Sequence, residues 1–251
     1  MKKLMVIFIV LALPFVCVAG SIQDMHKTAI AGKNNNLPSW YSSVMFGWTG
    51  DMKEGTNYAF DTNGTPIKGT SNSLPVGTSY GEGAPDIGAL LDTLNENITW
   101  SNSGDTYVND SIGTLWMRVY ISAAPTGTVS IFETNYDASD YIQINVTSTD
   151  TTVQGSYTAT GNNDTAYGYG ISYGGWIDIA YSWDQANGDH SCYDSGEWEE
   201  DLDELGHVLE ADIANIVLGE SIAGVAEMDG EKYVWVTQFA IVSGYETAKP
   251  W

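Results

Sequence analysis

The alternation of apolar and polar residues between Gly113 and Val146 constrains the fold of this 251-residue chain more than any other feature. In the stretch GTLWMRVYIS, apolar side chains alternate with Trp116, Arg118 and Tyr120. In YIQINV, they alternate with Tyr141, Gln143 and Asn145. Successive side chains of a β-strand point to opposite faces of a sheet, so each stretch predicts a strand with one apolar and one aromatic-polar face.

Short segments of similar composition recur along the chain between turns rich in Gly, Pro, Asp and Asn, and helix signals are few. We expect strands at 40–48, 98–101, 106–108, 129–134, 152–160, 176–183, 191–193, 213–218 and 233–242. The stretch 85–95 fits a helical turn or a strand, and the acidic stretch 197–212 fits a solvated insertion with one helical turn. The last strand, YVWVTQFAIV, is apolar on both faces and is expected at the centre of a sheet. The pattern as a whole predicts an all-β sandwich.

The first 39 residues differ from the rest. Lys2 and Lys3 precede an apolar run at 4–13 and small residues at 17–19, a pattern typical of a secretory signal peptide over 1–20 that is too short to span a membrane. Residues 21–39 are polar and Asn-rich, and predict a flexible arm. We therefore expect one domain at 40–251, no membrane span, and a secreted protein that is extracellular or bound at the cell surface.

Charge and cysteine content exclude some classes of function. The formal net charge of −23 repels phosphate backbones, so nucleic acid is not an expected partner. The same charge fits neutral or cationic ligands and divalent cations, and solubility in a salty medium explains it equally well. After the predicted signal peptide the chain retains only Cys192, which excludes an internal disulfide and predicts a small buried apolar side chain.

Several segments, taken in order, resemble one family. They are 46–48 (FGW), 113–119 (GTLWMRV), 176–184 (WIDIAYSWD), 192–196 (CYDSG), 215–219 (NIVLG) and 238–242 (QFAIV). Their order and spacing over about 40–251 are similar to the laminin-G-like members of the concanavalin A-like lectin/glucanase superfamily. The resemblance implies a jelly-roll β-sandwich of two antiparallel sheets. It also implies a module that binds sugars or proteins, although some members are glycoside hydrolases or lyases. The acidic insertion after Gly196 departs from the simplest members.

A sugar-binding face is the first functional hypothesis. If the apolar side chains fill the core between two sheets, the others point outward: Trp116, Arg118, Tyr120, Tyr141, Gln143, Asn145, Trp176 and Asp178. Aromatic rings stack on the apolar face of a sugar, and amides, Arg and carboxylates bind its hydroxyl rim. Strand residues that are merely exposed, or that lie under a loop, would show the same pattern. The predicted partner is a polysaccharide or another glycan.

Calcium is the one cofactor that the sequence suggests. Asp184, Asn187 and Asp189 surround a short polar loop, and Asp137 and Asp140 flank another. Carboxylate and amide oxygens suit Ca²⁺, but neither loop has EF-hand spacing, and the same residues cap turns without a metal.

A catalytic role is a weaker hypothesis. Glu199, Asp201 and Glu204 match E-x-D-x-x-E, a spacing that resembles the catalytic strand of laminarinase-like glycosidases. A run this rich in acids matches such a spacing by chance, because Glu200 and Asp203 stand where that family has hydrophobic residues.

The sequence thus predicts a secreted, non-catalytic carbohydrate-binding or adhesion module. The first alternative is a structural subunit of an extracellular assembly or filament, a homo-oligomer formed through the arm at 21–39. The second is a glycoside hydrolase or polysaccharide lyase. Neutral-sugar binding, oligomeric state and polysaccharide cleavage would distinguish the three.

Overall fold

A computed structural model describes residues 43–50, 57–72, 76–77, 88–91, 96–102, 106–147, 152–169, 171–194, 197–201, 205–209, 212–219 and 234–246. The predicted signal peptide and arm, and the proposed domain boundaries near residues 20 and 40, lie outside these ranges.

The described residues form seventeen β-strands and no helix. In chain order they are β1 (Val44–Thr49), β2 (Tyr58–Asp61), β3 (Pro66–Lys68), β4 (Thr70–Asn72), β5 (Val76–Gly77), β6 (Gly88–Leu91), β7 (Asn97–Ser101), β8 (Ile112–Ile121), β9 (Val129–Asp137), β10 (Asp140–Val146), β11 (Thr152–Ala159), β12 (Asn162–Tyr169), β13 (Gly175–Asp184), β14 (Asp189–Asp194), β15 (Glu197–Asp201), β16 (Asn215–Gly219) and β17 (Val234–Val242).

The strands form two antiparallel sheets that pack face to face, which confirms the predicted β-sandwich of jelly-roll type. Sheet A has the order β15, β14, β13, β8, β17, β1, β2, β3, and β6 also pairs with β17 and with β5. Sheet B has the order β12, β11, β10, β9, β16, β7, β4. The strand β17 lies between β8 and β1, the central position that its two apolar faces predicted.

The core lies between the two sheets. The apolar face of β8, with Leu115 and Val119, belongs to the same buried cluster as Ile142 and Ile144 of β10. Burial of such side chains contributes about 1.5–3 kcal/mol each, so both alternating stretches stabilise the core. Cys192 lies in this cluster, fully buried and with a free thiol, as its isolation in the sequence predicted.

Close approach of the sheets requires glycine at one position in the core. A Cβ atom at Gly155 of β11 would lie 1.9 Å from the Tyr181 ring of β13. The ring of Tyr181 therefore fills the space that Gly155 leaves open, and the two sheets interlock at this point.

Two expectations about local structure are wrong, and one strand was missed. The start of the acidic stretch, Glu197–Asp201, is the edge strand β15 and not a helical turn. Charged side chains on an edge strand oppose pairing with other chains, which gives this acidity a structural reason. Residues 106–108 form no strand, and β12 was not predicted at all.

Candidate functional site

The structure places the eight predicted ligand-binding residues on two outer faces that point away from each other. Sheet A carries Trp116, Arg118 and Tyr120 of β8 with Trp176 and Asp178 of β13, and sheet B carries Tyr141, Gln143 and Asn145 of β10. All eight lie on the sides of their strands that face away from the core, but four of them are buried and the other four are half-buried. The expectation of a single face that combines them is wrong, because β8 and β10 belong to different sheets.

The outer face of sheet B carries a continuous row of hydrogen-bonded side chains, called here the amide row: Asn215, Asn135, Glu133, Gln143 and Asn145. Asn215 Nδ2 donates to Asn135 Oδ1 (3.1 Å), and Asn135 Nδ2 donates to Glu133 Oε1. Gln143 Nε2 donates to Glu133 Oε2 (2.8 Å), and Asn145 Nδ2 donates to Gln143 Oε1 (3.4 Å). The amides on both sides of Glu133 therefore donate toward its carboxylate, which is the acceptor at the centre of the row.

Strand register assembles this row. Gln143 of β10 pairs with Glu133 of β9, and Asn135 of β9 pairs with Asn215 of β16. Paired residues of antiparallel strands have Cβ atoms about 4.5–5.5 Å apart, close enough for short polar side chains to bond directly. Four of its five side chains are buried although they lie outside the core, Asn215 is half-buried, and Glu133 has no exposed surface.

Two buried polar atoms at one end of the amide row have no hydrogen-bond partner. They are Asn145 Oδ1 and the hydroxyl of Ser156, which pairs with Gln143 from the neighbouring strand β11. Asn145 and Ser156 are 5% and 2% exposed. A buried polar atom without a partner costs about 1–3 kcal/mol, and in native structures a bound water, ion or other polar group commonly supplies the partner.

Tyrosines lie at the margin of this face. Tyr141 of β10 is half-buried, and Tyr167 of β12 is 36% exposed. Tyr167 pairs with the half-buried Gln154 of β11, on the same outer face as Ser156. Rings that present a face to solvent beside buried amides are suited to stack on a sugar ring whose hydroxyls meet the amides.

The outer face of sheet A has a different layout, in which two aromatic rows enclose a polar one. Across β13, β8 and β17 the rows are Trp176, Tyr120 and Trp235; Asp178, Arg118 and Gln238; and Ala180, Trp116 and Ala240. The alanines leave room for the Trp116 ring, which has no exposed surface, so Trp116 cannot itself stack on a ligand in this conformation.

An ion pair occupies the middle row. Arg118 Nε lies 3.0 Å from Asp178 Oδ1, and Arg118 Nη2 donates to Asp178 Oδ2 (3.4 Å). The two side chains are 32% and 17% exposed. Arg118 is the only arginine in the sequence. The pair offers both donors and an acceptor to a ligand at the surface.

The predicted calcium residues lie in the turn between β13 and β14. Asp184 accepts hydrogen bonds from the Asn187 backbone N–H (3.3 Å) and from Asn187 Nδ2 (2.7 Å), and it pairs with Asp189 across the hairpin. The carboxylate thus caps its own turn. Within the described ranges no group of three or more His, Cys, Asp or Glu side chains is arranged to hold a metal ion, and calcium stays a prediction.

The residues of the catalytic hypothesis do not form a described site. Glu199 and Asp201 lie on the edge strand β15, where they pair with Cys192 and His190, and Glu204 lies outside the described residues. No helix among the described residues is long and apolar enough to cross a membrane.

Sequence reasoning found Gln143 and Asn145 but missed the rest of the amide row and Ser156. The alternation in VSIFETN does place Glu133 and Asn135 two residues apart on one side of β9. What it lacks is the register that sets them opposite Gln143 and Asn215, because pairing partners are not encoded in the period of a single strand.

Comparison with known proteins identifies the fold. No protein-family model matches the chain, and neither does any curated protein. The binding domain of botulinum neurotoxin serotype D is similar in structure, with a TM-score of 0.61 at 12% identity over 82% of this chain. A Trypanosoma rangeli sialidase in complex with sialic acid matches over 89% of this chain, with a TM-score of 0.59 at 12% identity.

The match to these proteins is partial on their side. The chain spans 48% of the serotype D binding domain and 35% of the sialidase. A third similar structure concerns botulinum neurotoxin type C, whose cell entry depends on interaction with two ganglioside molecules. It has a TM-score of 0.60 at 11% identity over 81% of this chain, which spans 48% of its length. At these identities the likeness establishes a β-sandwich fold and does not identify a laminin-G family.

Proposed function

We propose that this chain is a secreted, non-catalytic carbohydrate-binding module whose ligand lies on the outer face of sheet B. The observation that carries the proposal is the pair of buried, unpartnered atoms, Asn145 Oδ1 and Ser156 Oγ, beside the amide row. Both atoms are buried, so the proposal requires that side chains at this surface move aside when the ligand binds. A sugar hydroxyl can then donate to Asn145 Oδ1, and another hydroxyl can exchange a hydrogen bond with Ser156, because a hydroxyl is both donor and acceptor.

The chemistry of this face favours binding over hydrolysis. Both oxygens of Glu133 accept hydrogen bonds from amides, so the carboxylate anchors the row. A retaining or inverting glycosidase needs two carboxyl groups that flank the scissile bond, and the amide row contributes one.

Two further considerations support the proposal. Solved structures of the same fold include a sialidase in complex with sialic acid and a neurotoxin whose cell entry depends on gangliosides, and both ligands contain sugars. The apolar leader at 1–20 supports secretion, and the net charge of −23 favours neutral glycans over acidic ones.

Affinity electrophoresis of the mature chain through gels that contain laminarin, xylan or galactomannan tests the proposal. We expect at least one polymer to retard the wild type. Ser156→Ala should weaken that binding about tenfold, or about 1.4 kcal/mol, while leaving stability unchanged or higher, because it removes an unpartnered hydroxyl.

The matched control is Thr134→Val. Thr134 of β9 also has a buried hydroxyl without a partner, but it pairs with Ile142 on the core side of the same sheet. This variant should bind as the wild type does. Failure of all three polymers to retard the wild type, or equal retardation of Ser156→Ala and wild type, would refute the proposed site.

A further inference from the structure

A second set of unpartnered polar atoms lies on the outer face of sheet A. The rings of Trp116, Tyr193 and Trp198 pack against one another, with centroids 5.3–6.1 Å apart. Tyr193 pairs with Trp198 of β15 on one side and with Ala180 of β13 on the other. The Tyr193 hydroxyl and Trp198 Nε1 are both buried and have no hydrogen-bond partner.

These donors adjoin the ion pair in the polar row. Asp178 lies two residues before Ala180 on β13, so Tyr193 and Asp178 are diagonal neighbours on one face, within reach of a long side chain. Burial raises the pKa of Tyr193, and the carboxylates of Asp178 and Asp194 raise it further. The hydroxyl therefore stays protonated and remains a donor. Together Arg118, Asp178, Tyr193 and Trp198 form what we call the Arg118 cluster.

We propose that the Arg118 cluster is a second, independent glycan-binding site, so that one domain binds a sugar on each of its two opposite faces. The inference rests on the proposed function for the chemical class of ligand, but on separate residues for the site. The Arg118 cluster has three kinds of donor, the guanidinium, the Tyr193 hydroxyl and the Trp198 indole, and one acceptor, the Asp178 carboxylate. The hydroxyl and the indole N–H are buried, so the inference requires that the rings shift to let a ligand reach them.

This set of donors and one acceptor fits a neutral sugar. Hydroxyl, ring and glycosidic oxygens accept from the donors, and one hydroxyl donates to Asp178. The charge of Arg118 is already balanced by Asp178 at 3.0 Å, so the cluster has no excess positive charge for a sugar carboxylate. The half-buried ring of Trp176, in the aromatic row next to the ion pair, gives the sugar ring an apolar surface.

The positions of the two sites imply a function that one site cannot perform. Packed sheets lie about 10 Å apart, and their outer faces point in opposite directions. A single glycan chain that lies flat on one face cannot reach the other, so the domain would hold two glycan chains together. Such bridging gives avidity on a polymeric ligand without any new contact.

Isothermal titration of the mature chain with laminarihexaose, xylohexaose and mannohexaose tests the inference. We expect two binding events per chain for the hexasaccharide that binds. Tyr193→Phe, which removes only the unpartnered hydroxyl, should weaken one event at least fivefold without lowering the melting temperature. Tyr173→Phe is the matched control, because it removes a buried, unpartnered hydroxyl beside the core and should leave both events unchanged.

The variants separate this inference from the proposed site on sheet B. Ser156→Ala should weaken only the other event, and the double variant Ser156→Ala/Tyr193→Phe should weaken both. If Ser156→Ala has no effect while Tyr193→Phe weakens the only event, the proposed function of sheet B fails and the Arg118 cluster stands. Unchanged binding by Tyr193→Phe, a preference for glucuronate oligosaccharides at this site, or no binding of any hexasaccharide would overturn the inference.

Discussion

Replacement of Glu133 is the most demanding test of the amide row. Glu133 has no exposed surface, and its two oxygens accept from Asn135 Nδ2 and Gln143 Nε2. Glu133→Leu would leave both buried donors without this acceptor, and each such donor costs about 1–3 kcal/mol. We therefore expect the variant to lose about 4 kcal/mol of unfolding free energy.

Urea denaturation followed by tryptophan fluorescence measures this loss. With a slope of about 2.5 kcal/mol/M for a domain of this size, the midpoint should fall by about 1.6 M at an unchanged slope. Glu133→Gln is the matched control. The new amide N–H₂ at position 133 can donate to Gln143 if the Gln143 and Asn145 amides both rotate by half a turn. This rotation breaks no hydrogen bond of Asn145 Oδ1, because that atom has no partner. This variant should cost about 1–2 kcal/mol. A midpoint for Glu133→Leu close to that of the wild type would refute the reasoning.

Three further predictions address packing, pH and metal. Gly155→Ala should destabilise the fold by about 3 kcal/mol or more in the same urea assay, because its Cβ would lie 1.9 Å from the Tyr181 ring, and wild-type stability would contradict the interlock. Burial raises the pKa of the Cys192 thiol from 9.0 to about 12, so the unfolded chain loses this proton at a lower pH than the folded protein does. The free energy of unfolding is therefore unaffected by this thiol below about pH 9 and falls as the pH rises toward 12. Cys192→Ala should remove up to about 4 kcal/mol of this alkaline loss, and identical pH profiles would contradict it. The calcium hypothesis predicts that EGTA lowers the melting temperature of the wild type but not of Asp184→Asn, and an unchanged wild-type value would remove it.

The alternating pattern in the sequence determines which side of each strand faces the core, but not which strands share a sheet. It therefore placed Trp116 and Gln143 on the outer sides of their strands, where both are nevertheless buried, while it merged two opposite faces into one. The assignment of β8 to sheet A and β10 to sheet B follows from long-range pairing, of β8 with β17 and of β9 with β16. No single strand carries that information.

The strand β12 was missed because its residues, NNDTAYGY, have low β-propensity. The turn before it does carry a signal. Thr160 and Gly161 both have positive φ, at 49° and 76°, as a two-residue hairpin turn requires. A Thr-Gly pair is a weaker turn signal than Asn-Gly, and the polar residues after it are typical of a loop. Pairing with β11 along its whole length overrides that local preference.

The side-chain amide signals of Gln143 and Asn145 in a ¹⁵N–¹H spectrum give the most direct test of the proposed ligand site. Titration with the hexasaccharide that binds should shift both signals, together with the backbone amides of β10 and β11 around Ser156. A saturating titration that leaves these signals unmoved while others shift would contradict the account.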